Sequence, residues 1–387
     1  MTIVMVHNWY QTPGGEDRLY RAESELLEAH GHRIIRFTDD NARIRRLGRL
    51  TLARSTLWNF AAAARLRALV ARERAAVVHF HNTFPLLSAS VLRAARRAGA
   101  AVVQTLHNFR LICPNGLLYR AGAPCEDCVE RNLPWPGVVR SCYRGSRAAT
   151  ALAAAAVLAR RFTGAWHDGI DAYIVLSDFA RSVFQRAGFP EEKLKVHPNF
   201  VYPDPGVGHG RGGYVLFVGR LSEEKGVAVL VAAWKRLKAP AVLEIVGDGP
   251  LAPRLRSAAQ SAPIRWTGSL PHAEVLARLR GASLLVAPSL CYEGSPLAVL
   301  ESLAAGTPVV ASRIGSLPEI IEPERTGWLA PPGDVAGLAD VLAHALSDCS
   351  RLARMRQEAR RQYEERYTAE SHYQALTRLY EQVACHG

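Results

Sequence analysis

Two carboxylates, Glu293 and Glu301, flank a serine–proline pair in the run Pro288-Ser-Leu-Cys-Tyr-Glu-Gly-Ser-Pro-Leu-Ala-Val-Leu-Glu301. A serine hydroxyl can cap an orphan backbone N–H, and a proline ring presets a helical φ, so Ser295-Pro296 predicts a helix start. Glu293 then lies on the loop that enters the helix, and Glu301 about one and a half turns inside it. Between them the helix start offers N–H groups and a partial positive charge, a seat for an anion. Acids on both sides of such a seat fit a ligand with a charged middle and hydroxyl-rich ends, the form of a sugar nucleotide.

Two cations could hold that middle. The run Tyr214–Val218 leads into Gly219-Arg220-Leu-Ser-Glu-Glu-Lys225-Gly226. Glycine leaves room for close approach of a ligand; Arg220 supplies a fork of donors and Lys225 a point charge. The rival reading is two exposed cations in weak pairs with Glu223 and Glu224. Val246-Gly-Asp-Gly-Pro250 sets Gly247 and Gly249 at another strand end, where a base or ribose could lie, although a plain turn has the same composition. Near the N-terminus, Gly14-Gly15 forms a strand-to-helix turn whose N–H groups can reach phosphate; the rival is a glycine turn and nothing more. The three spaced glycines of the dinucleotide fingerprint are missing, which disfavours a dehydrogenase. His107 follows the run Ala101–Gln104; strand ends line ligand crevices in open α/β sheets, while a hydrogen-bonded structural histidine is the ordinary alternative.

Short apolar runs alternate with longer amphipathic ones, as βαβ units do. Strands are expected at Thr2–Val6, Arg33–Phe37, Val77–Phe80, Ala101–Gln104 and Ala172–Leu176, and again at Tyr214–Val218, Val242–Val246, Ile264–Trp266, Leu284–Ala287 and Val309–Ala311. Continuous apolar strands separated by helices imply parallel sheets buried on both faces. The expected architecture is therefore α/β with two doubly wound domains facing each other across a cleft. The boundaries expected are 1–200 for the N-terminal domain, 201–213 for a Pro/Gly-rich linker and 214–365 for the C-terminal domain. A closing helical segment, 366–387, is expected to pack back on the first domain.

Cys113, Cys125, Cys128 and Cys142 cluster in the loop-rich insert 111–144. Cys125-x-x-Cys128 fits one side of a tetrahedral zinc site, and the outer two cysteines would complete it. Reduced thiols are the alternative and a disulfide the third reading. The insert, close to His107 in sequence, is also a candidate for contacting a second substrate.

The chain has 387 residues, 49% of them hydrophobic, and a formal charge of +13 from 48 Lys+Arg against 35 Asp+Glu. Between Arg43 and Arg74 nine arginines face one acid, Glu73. That stretch suits anionic lipid headgroups or a phosphorylated acceptor; a solvated arginine-rich face is the alternative. Nucleic acid is not expected as a partner, since no binding motif accompanies the charge. No run reaches the ~18 apolar residues of a membrane span, and Met1-Thr-Ile-Val-Met-Val6 is too short for a signal sequence. A cytoplasmic location is expected, with peripheral contact at the inner face of the membrane through the basic stretch.

The motifs Gly219-Arg220…Lys225-Gly226, Val246-Gly-Asp-Gly-Pro250, Pro288-Ser…Glu293-Gly-Ser-Pro-Leu…Glu301 and Ala305-Gly-Thr-Pro-Val-Val310 occur in one order that resembles the retaining glycosyltransferases of family 4. The resemblance covers nearly all of the second half; the four-cysteine insert, which many members lack, marks a subgroup. It implies the GT-B fold and transfer of a hexose from a nucleoside-diphosphate sugar to an acceptor hydroxyl with retained configuration, in polysaccharide, glycolipid or glycoconjugate assembly. It also implies that Arg220 and Lys225 hold the donor diphosphate, Glu301 the ribose, and that Glu293 and His107 lie beside the transferred sugar. Gly14, Gly15, Gly219, Gly247, Gly249, Gly294, Ser295, Pro296 and Leu297 complete the donor site it implies. No catalytic metal is expected, because no Asp-x-Asp pair occurs to clamp one. The acceptor is left open, a lipid-linked intermediate among the candidates. The rival functions are a nucleotide-sugar epimerase or hydrolase of the same fold and a non-catalytic sugar-nucleotide binder at the membrane surface.

Overall fold

Apolar β-branched runs build two all-parallel sheets in the computed structural model, which describes all residues except 13, 238–240, 261 and 386–387. The strands of the first sheet are β1 (Thr2–Trp9), β2 (Arg33–Asp40), β3 (Val77–Phe80) and β4 (Ala101–Leu106). After a two-residue hairpin, β5 (Tyr119–Arg120) and β6 (Ala123–Pro124), β7 (Ala172–Val175) and β8 (Leu194–Val196) complete it. The second sheet comprises β9 (Tyr214–Val218), β10 (Val242–Val246), β11 (Ile264–Gly268), β12 (Leu284–Ala287), β13 (Val309–Ser312) and β14 (Gly327–Ala330). Strand orders are β2-β1-β3-β4-β7-β8 and β11-β10-β9-β12-β13-β14. In each the order reverses direction beside the first strand, the arrangement that opens a ligand crevice at the strands' carboxyl ends.

The chain divides into two compact units. The first holds Met1–Leu118, Cys125–Pro198 and His372–Gly387; the second holds Tyr119–Pro124 and Asn199–Ser371. Both faces of the second sheet are buried. Trp234, Leu230 and Leu338 cover Leu243 and Ile245 on one side, while Leu300, Leu303 and Tyr363 cover Leu216 and Leu285 on the other. In the first unit Leu376, Leu379 and Tyr380 of the helix Ala369–Cys385 close over Ile3, Met5 and Val103. Residues 201–213, expected as a linker, are tied to the second unit by backbone bonds from Gly208 to Ala305 and from Gly212 to Gly281. Among the described residues no helix is long and apolar enough to cross a membrane.

Each of the ten expected strands overlaps an observed one. β8 and β14 were not expected: β8 is three residues with Lys195 and Val196 exposed, and β14 reads Gly-Trp-Leu-Ala, without a β-branched residue.

Candidate functional site

In the second unit the loops after β9, β10 and β12 meet through glycine. Gly226 has φ +67°, and a Cβ there would sit 1.8 Å from the Pro288 carbonyl oxygen. Gly247 has φ +135°, and its Cβ would lie 1.9 Å from the Gly219 oxygen. These glycines let backbone pack on backbone: at Gly226 and Gly247 the space a Cβ would take is occupied by the carbonyl oxygens of Pro288 and Gly219. The contact is locked by the Leu221 N–H, which donates to the Asp248 oxygen at 2.9 Å.

That approach carries Lys225 to Glu293. The Lys225 ammonium donates to Glu293 Oε1 at 2.7 Å, and the Ser289 hydroxyl donates to the same oxygen at 2.6 Å. Burial alone would raise the Glu293 carboxyl, but Lys225 and Ser289 outweigh it and hold it below its ordinary value. Lys225 in turn, which burial alone would depress, is carried above its ordinary value by Glu293. The Glu293 loop is pinned by the Ser316 N–H, which donates to the Glu293 carbonyl oxygen at 3.1 Å.

The helix start differs from expectation. The helix is Leu297–Ala304 and its N-cap is Pro296, with no side-chain cap bond. Ser295 instead faces Asn199, whose N–H and side-chain amide donate to the Ser295 hydroxyl and carbonyl oxygens at 3.3 and 2.7 Å. The serine hydroxyl is drawn off to a backbone partner, and the proline takes its place at the cap. Glu301, buried, accepts a hydrogen bond from His272 Nε2 at 2.8 Å. Arg220 is exposed and enters no ion pair among the described residues; Gly219, Gly249, Gly294 and Leu297 are half-buried around it and along the helix start. His272, Ser289 and Asn199 were missed, since each is defined by a contact 4 to 96 residues away in sequence.

In the first unit Gly14 is the N-cap of the helix Gly15–Ala29, but its N–H donates to Asp17 Oδ2 at 3.0 Å. Glu16 and Asp17 lie in this first turn, so a phosphate at Gly14-Gly15 would sit beside them. Asp17 also accepts from His7 Nε2 at 2.7 Å. His107 Nε2 lies 2.9 Å from His81 Nδ1, and burial drives His107 well below its ordinary value, so this pair is neutral.

Beneath it lies a buried network that sequence reasoning did not foresee. Glu23 Oε1 is 3.0 Å from His79 Nδ1 and 3.2 Å from His81 Nε2, and Oε2 is 3.1 Å from His372 Nε2. Glu23, His79 and His81 form a group whose ligand atoms lie within 4.8 Å of one another. Both ring nitrogens of His79 have other partners as well, Tyr380 at 2.7 Å and Thr105 at 2.8 Å. The hydrogen bonds from His372 to Glu23 Oε2 and between Tyr380 and His79 Nδ1 tie the last helix to the helix Gly15–Ala29 and to β3.

The four cysteines do not form such a group among the described residues. All seven cysteines are unbridged thiols. Burial pushes the Cys128 thiol up to about 11, with Cys113, Cys142 and Cys125 near enough to add to it.

Residues 6–204 match the sequence model of Glycosyltransferase Family 4, and residues 212–348 match that of Glycosyl transferases group 1. Among relatives, the amylovoran biosynthesis glycosyltransferase AmsK of Erwinia amylovora is 31% identical over 44% of this chain and 45% of its own length. This chain thus spans about half the length of the first curated relatives it matches. Among solved structures, sucrose-phosphate synthase from Thermosynechococcus elongatus superposes with a TM-score of 0.74 at 17% identity, covering 100% of both chains. Anabaena Alr3699/HepE in complex with UDP-glucose superposes at 0.67 and 16% identity, covering 99% of this chain and 100% of the other. Two Rossmann-like parallel sheets that follow GT-B glycosyltransferase structures, joined to a family match over half the sequence, settle the kinship: this chain belongs to glycosyltransferase family 4.

Proposed function

We propose that this glycosyltransferase moves a sugar from a nucleoside-diphosphate donor to an acceptor hydroxyl with retention, in the assembly of a polysaccharide or glycolipid. The observation that carries the reading is Arg220. It is an exposed guanidinium outside any ion pair among the described residues, on the loop whose Lys225 reaches Glu293. An arginine with its donors open is suited to grip diphosphate oxygens in a fork. Lys225 and the start of the helix Leu297–Ala304 add positive potential as charge develops on the departing diphosphate. Glu293, ionised beside Lys225, suits the hydroxyls of the transferred sugar, and Glu301 those of the ribose; the leaving phosphate accepts the acceptor's proton. His107, neutral, positions the sugar. The complex of Alr3699/HepE with UDP-glucose and the polysaccharide role in AmsK's name support this donor class and pathway class.

Each charge-assisted contact is worth about 1.5–3 kcal/mol. Arg220→Ala is therefore expected to lower turnover at saturating donor roughly ten- to a hundredfold and to abolish the thermal shift given by UDP-sugars in a nucleotide-sugar panel. Unchanged turnover and shift would remove the diphosphate assignment. Running the same donors without acceptor separates transfer from epimerisation or hydrolysis. The zinc expected at Cys113, Cys125, Cys128 and Cys142 is not part of this reading, because among the described residues these four thiols are not gathered into a group that could hold a metal ion. The basic stretch from Arg43 to Arg74 supports peripheral contact with anionic lipid at the inner membrane face.

A further inference from the structure

A cleft in the first unit contains a buried cation that nothing described so far uses. Arg160 lies in the last turn of the helix Arg147–Phe162, is 4% exposed, and lines the cleft with Gln104, Thr105, His107 and Arg110. Ala153, Ala156 and Val157, on the same helix face, leave the space open above it. A guanidinium carries five N–H donors. One nitrogen of Arg160 donates to Gln104 Oε1 at 3.1 Å, and among the described residues no carboxylate pairs with it. Burial pushes Arg160 down to about 10, which still leaves it a cation at neutral pH.

Arg110 gives its donors to the Pro114 and Asn115 carbonyl oxygens and lies over the Phe84 ring. The one acid lining the cleft, Glu16, is hydrogen-bonded by Tyr10 at 2.9 Å and Asn108 at 3.3 Å and is raised by burial to about 8. At neutral pH it is largely protonated, so the cleft carries two guanidiniums and little compensating charge. A buried cation left without an acid costs several kcal/mol, and an apolar residue of similar volume there would be neutral or stabilising. Its presence points to an anion that arrives with a ligand.

We propose that the acceptor of this transferase carries an oxyanion, a phosphate ester or a sugar carboxylate, that is seated on Arg160 in this cleft. The inference rests on the transferase reading above but uses residues of the first unit alone. It makes this cleft the source of acceptor choice: neutral sugars lack the group that completes Arg160, whereas phosphorylated or uronic acceptors supply it in bidentate form.

The test uses inorganic phosphate and glucuronate as probes, with sodium chloride at matched ionic strength as control and UDP as a separate probe of the donor site. Wild-type protein should show a saturable rise in melting temperature with phosphate or glucuronate. Arg160→Met should weaken that response at least tenfold, leave the UDP response intact, and raise the melting temperature of the unliganded protein. Arg220→Ala should do the reverse on the two ligands. Phosphate alone active marks a phosphate-ester acceptor, and glucuronate alone a uronic one. If neither probe acts on wild type beyond the salt control, or if Arg160→Met keeps the response, the oxyanion seat is wrong while UDP binding still supports the donor reading. Failure of wild type to bind any of UDP, GDP and ADP would instead remove the transferase reading. Should Arg160→Met not fold, Arg160 is structural and the seat is equally refuted, unless Arg160→Lys folds with a response weakened but present.

Discussion

Acidification should loosen the first unit by an amount its buried histidines fix. Burial pushes His81 down to about 4 and His197 to about 3, and drives His107 well below its ordinary value. In the unfolded chain each titrates near 6.5. Between 6.5 and the folded values, the unfolded state binds protons that the native state refuses, so stability falls as pH drops. From pH 7 to pH 5 the linkage relation gives a loss of ~2 kcal/mol for each of His81 and His197, and His107 adds in the same direction. Glu16 opposes them. Burial raises it to about 8, so the native state holds a proton that the unfolded chain releases from about 4.5 upward, and acidification relieves this cost. At full strength that relief is ~2.5 kcal/mol, and partial exposure of the carboxyl reduces it. The histidines prevail, and the net loss is ~1.5–3 kcal/mol. Glu23, held well below its ordinary value, begins to matter only under about 4.5 and is silent in this window.

Hydrogen exchange read by mass spectrometry on β1, β3 and β4, corrected for the intrinsic pH dependence, isolates this unit from the other. Protection should fall by roughly ten- to a hundredfold between the two pH values. Glu16→Gln should steepen the fall toward ~4 kcal/mol, and His197→Gln should make it shallower. Equal corrected protection at both pH values, in wild type and in Glu16→Gln alike, would mean that the native histidines take up protons freely, and the picture of a neutral imidazole cluster would fail.

The Lys225–Glu293 pair, with side chains 34% and 12% exposed, should behave as a coupled unit. Lys225→Met or Glu293→Gln alone should cost about 1–3 kcal/mol in urea unfolding, and the double variant should cost at least ~1 kcal/mol less than their sum; additivity within ~0.5 kcal/mol would show that the two do not interact. Gly226→Ala places a Cβ 1.8 Å from the Pro288 oxygen at φ +67°. It should lower stability by at least ~2 kcal/mol and weaken UDP binding with it, and a wild-type melting temperature would refute the close approach of those loops.

The parts of the fold that rest on local pattern were legible. Runs such as Tyr214–Val218 and Val309–Ala311 are β-branched, unbroken and flanked by turn residues, and they are strands. What pattern could not supply was competition for a side chain. Ser295 has the right chemistry for an N-cap, but Asn199, distant in sequence, claims it, and Pro296 caps the helix instead. Val246-Gly-Asp-Gly-Pro250 reads as backbone presented at a strand end; that Gly247 also lies against the Gly219 carbonyl oxygen is a contact between two loops that neither motif shows alone. The Glu23 network was half legible. His79-Phe-His81 on a strand puts both imidazoles on one face, and Glu23 interrupts the apolar face made by Leu19, Tyr20, Leu26 and Leu27. The partners that complete it, His372 and Tyr380, lie some three hundred residues away, and no local pattern links them.

Two buried charges in the first unit separate structural from functional roles by one criterion, whether the fold supplies the counterpart. Glu23 has three imidazoles around one carboxylate, two from the run His79-Phe-His81 and one from the last helix. The fold itself supplies polar partners for the carboxylate, which is why it can sit fully buried at the junction of three elements. Arg160 has the same degree of burial and one neutral amide. Stability alone would favour methionine or leucine at that position, because an apolar side chain of similar size avoids the desolvation cost. A charge whose polar partners the fold supplies needs no ligand to explain it. A charge that the fold leaves open, on the wall of a cleft that also holds His107, is explained by what enters the cleft, and the melting temperature of unliganded Arg160→Met reads that difference directly.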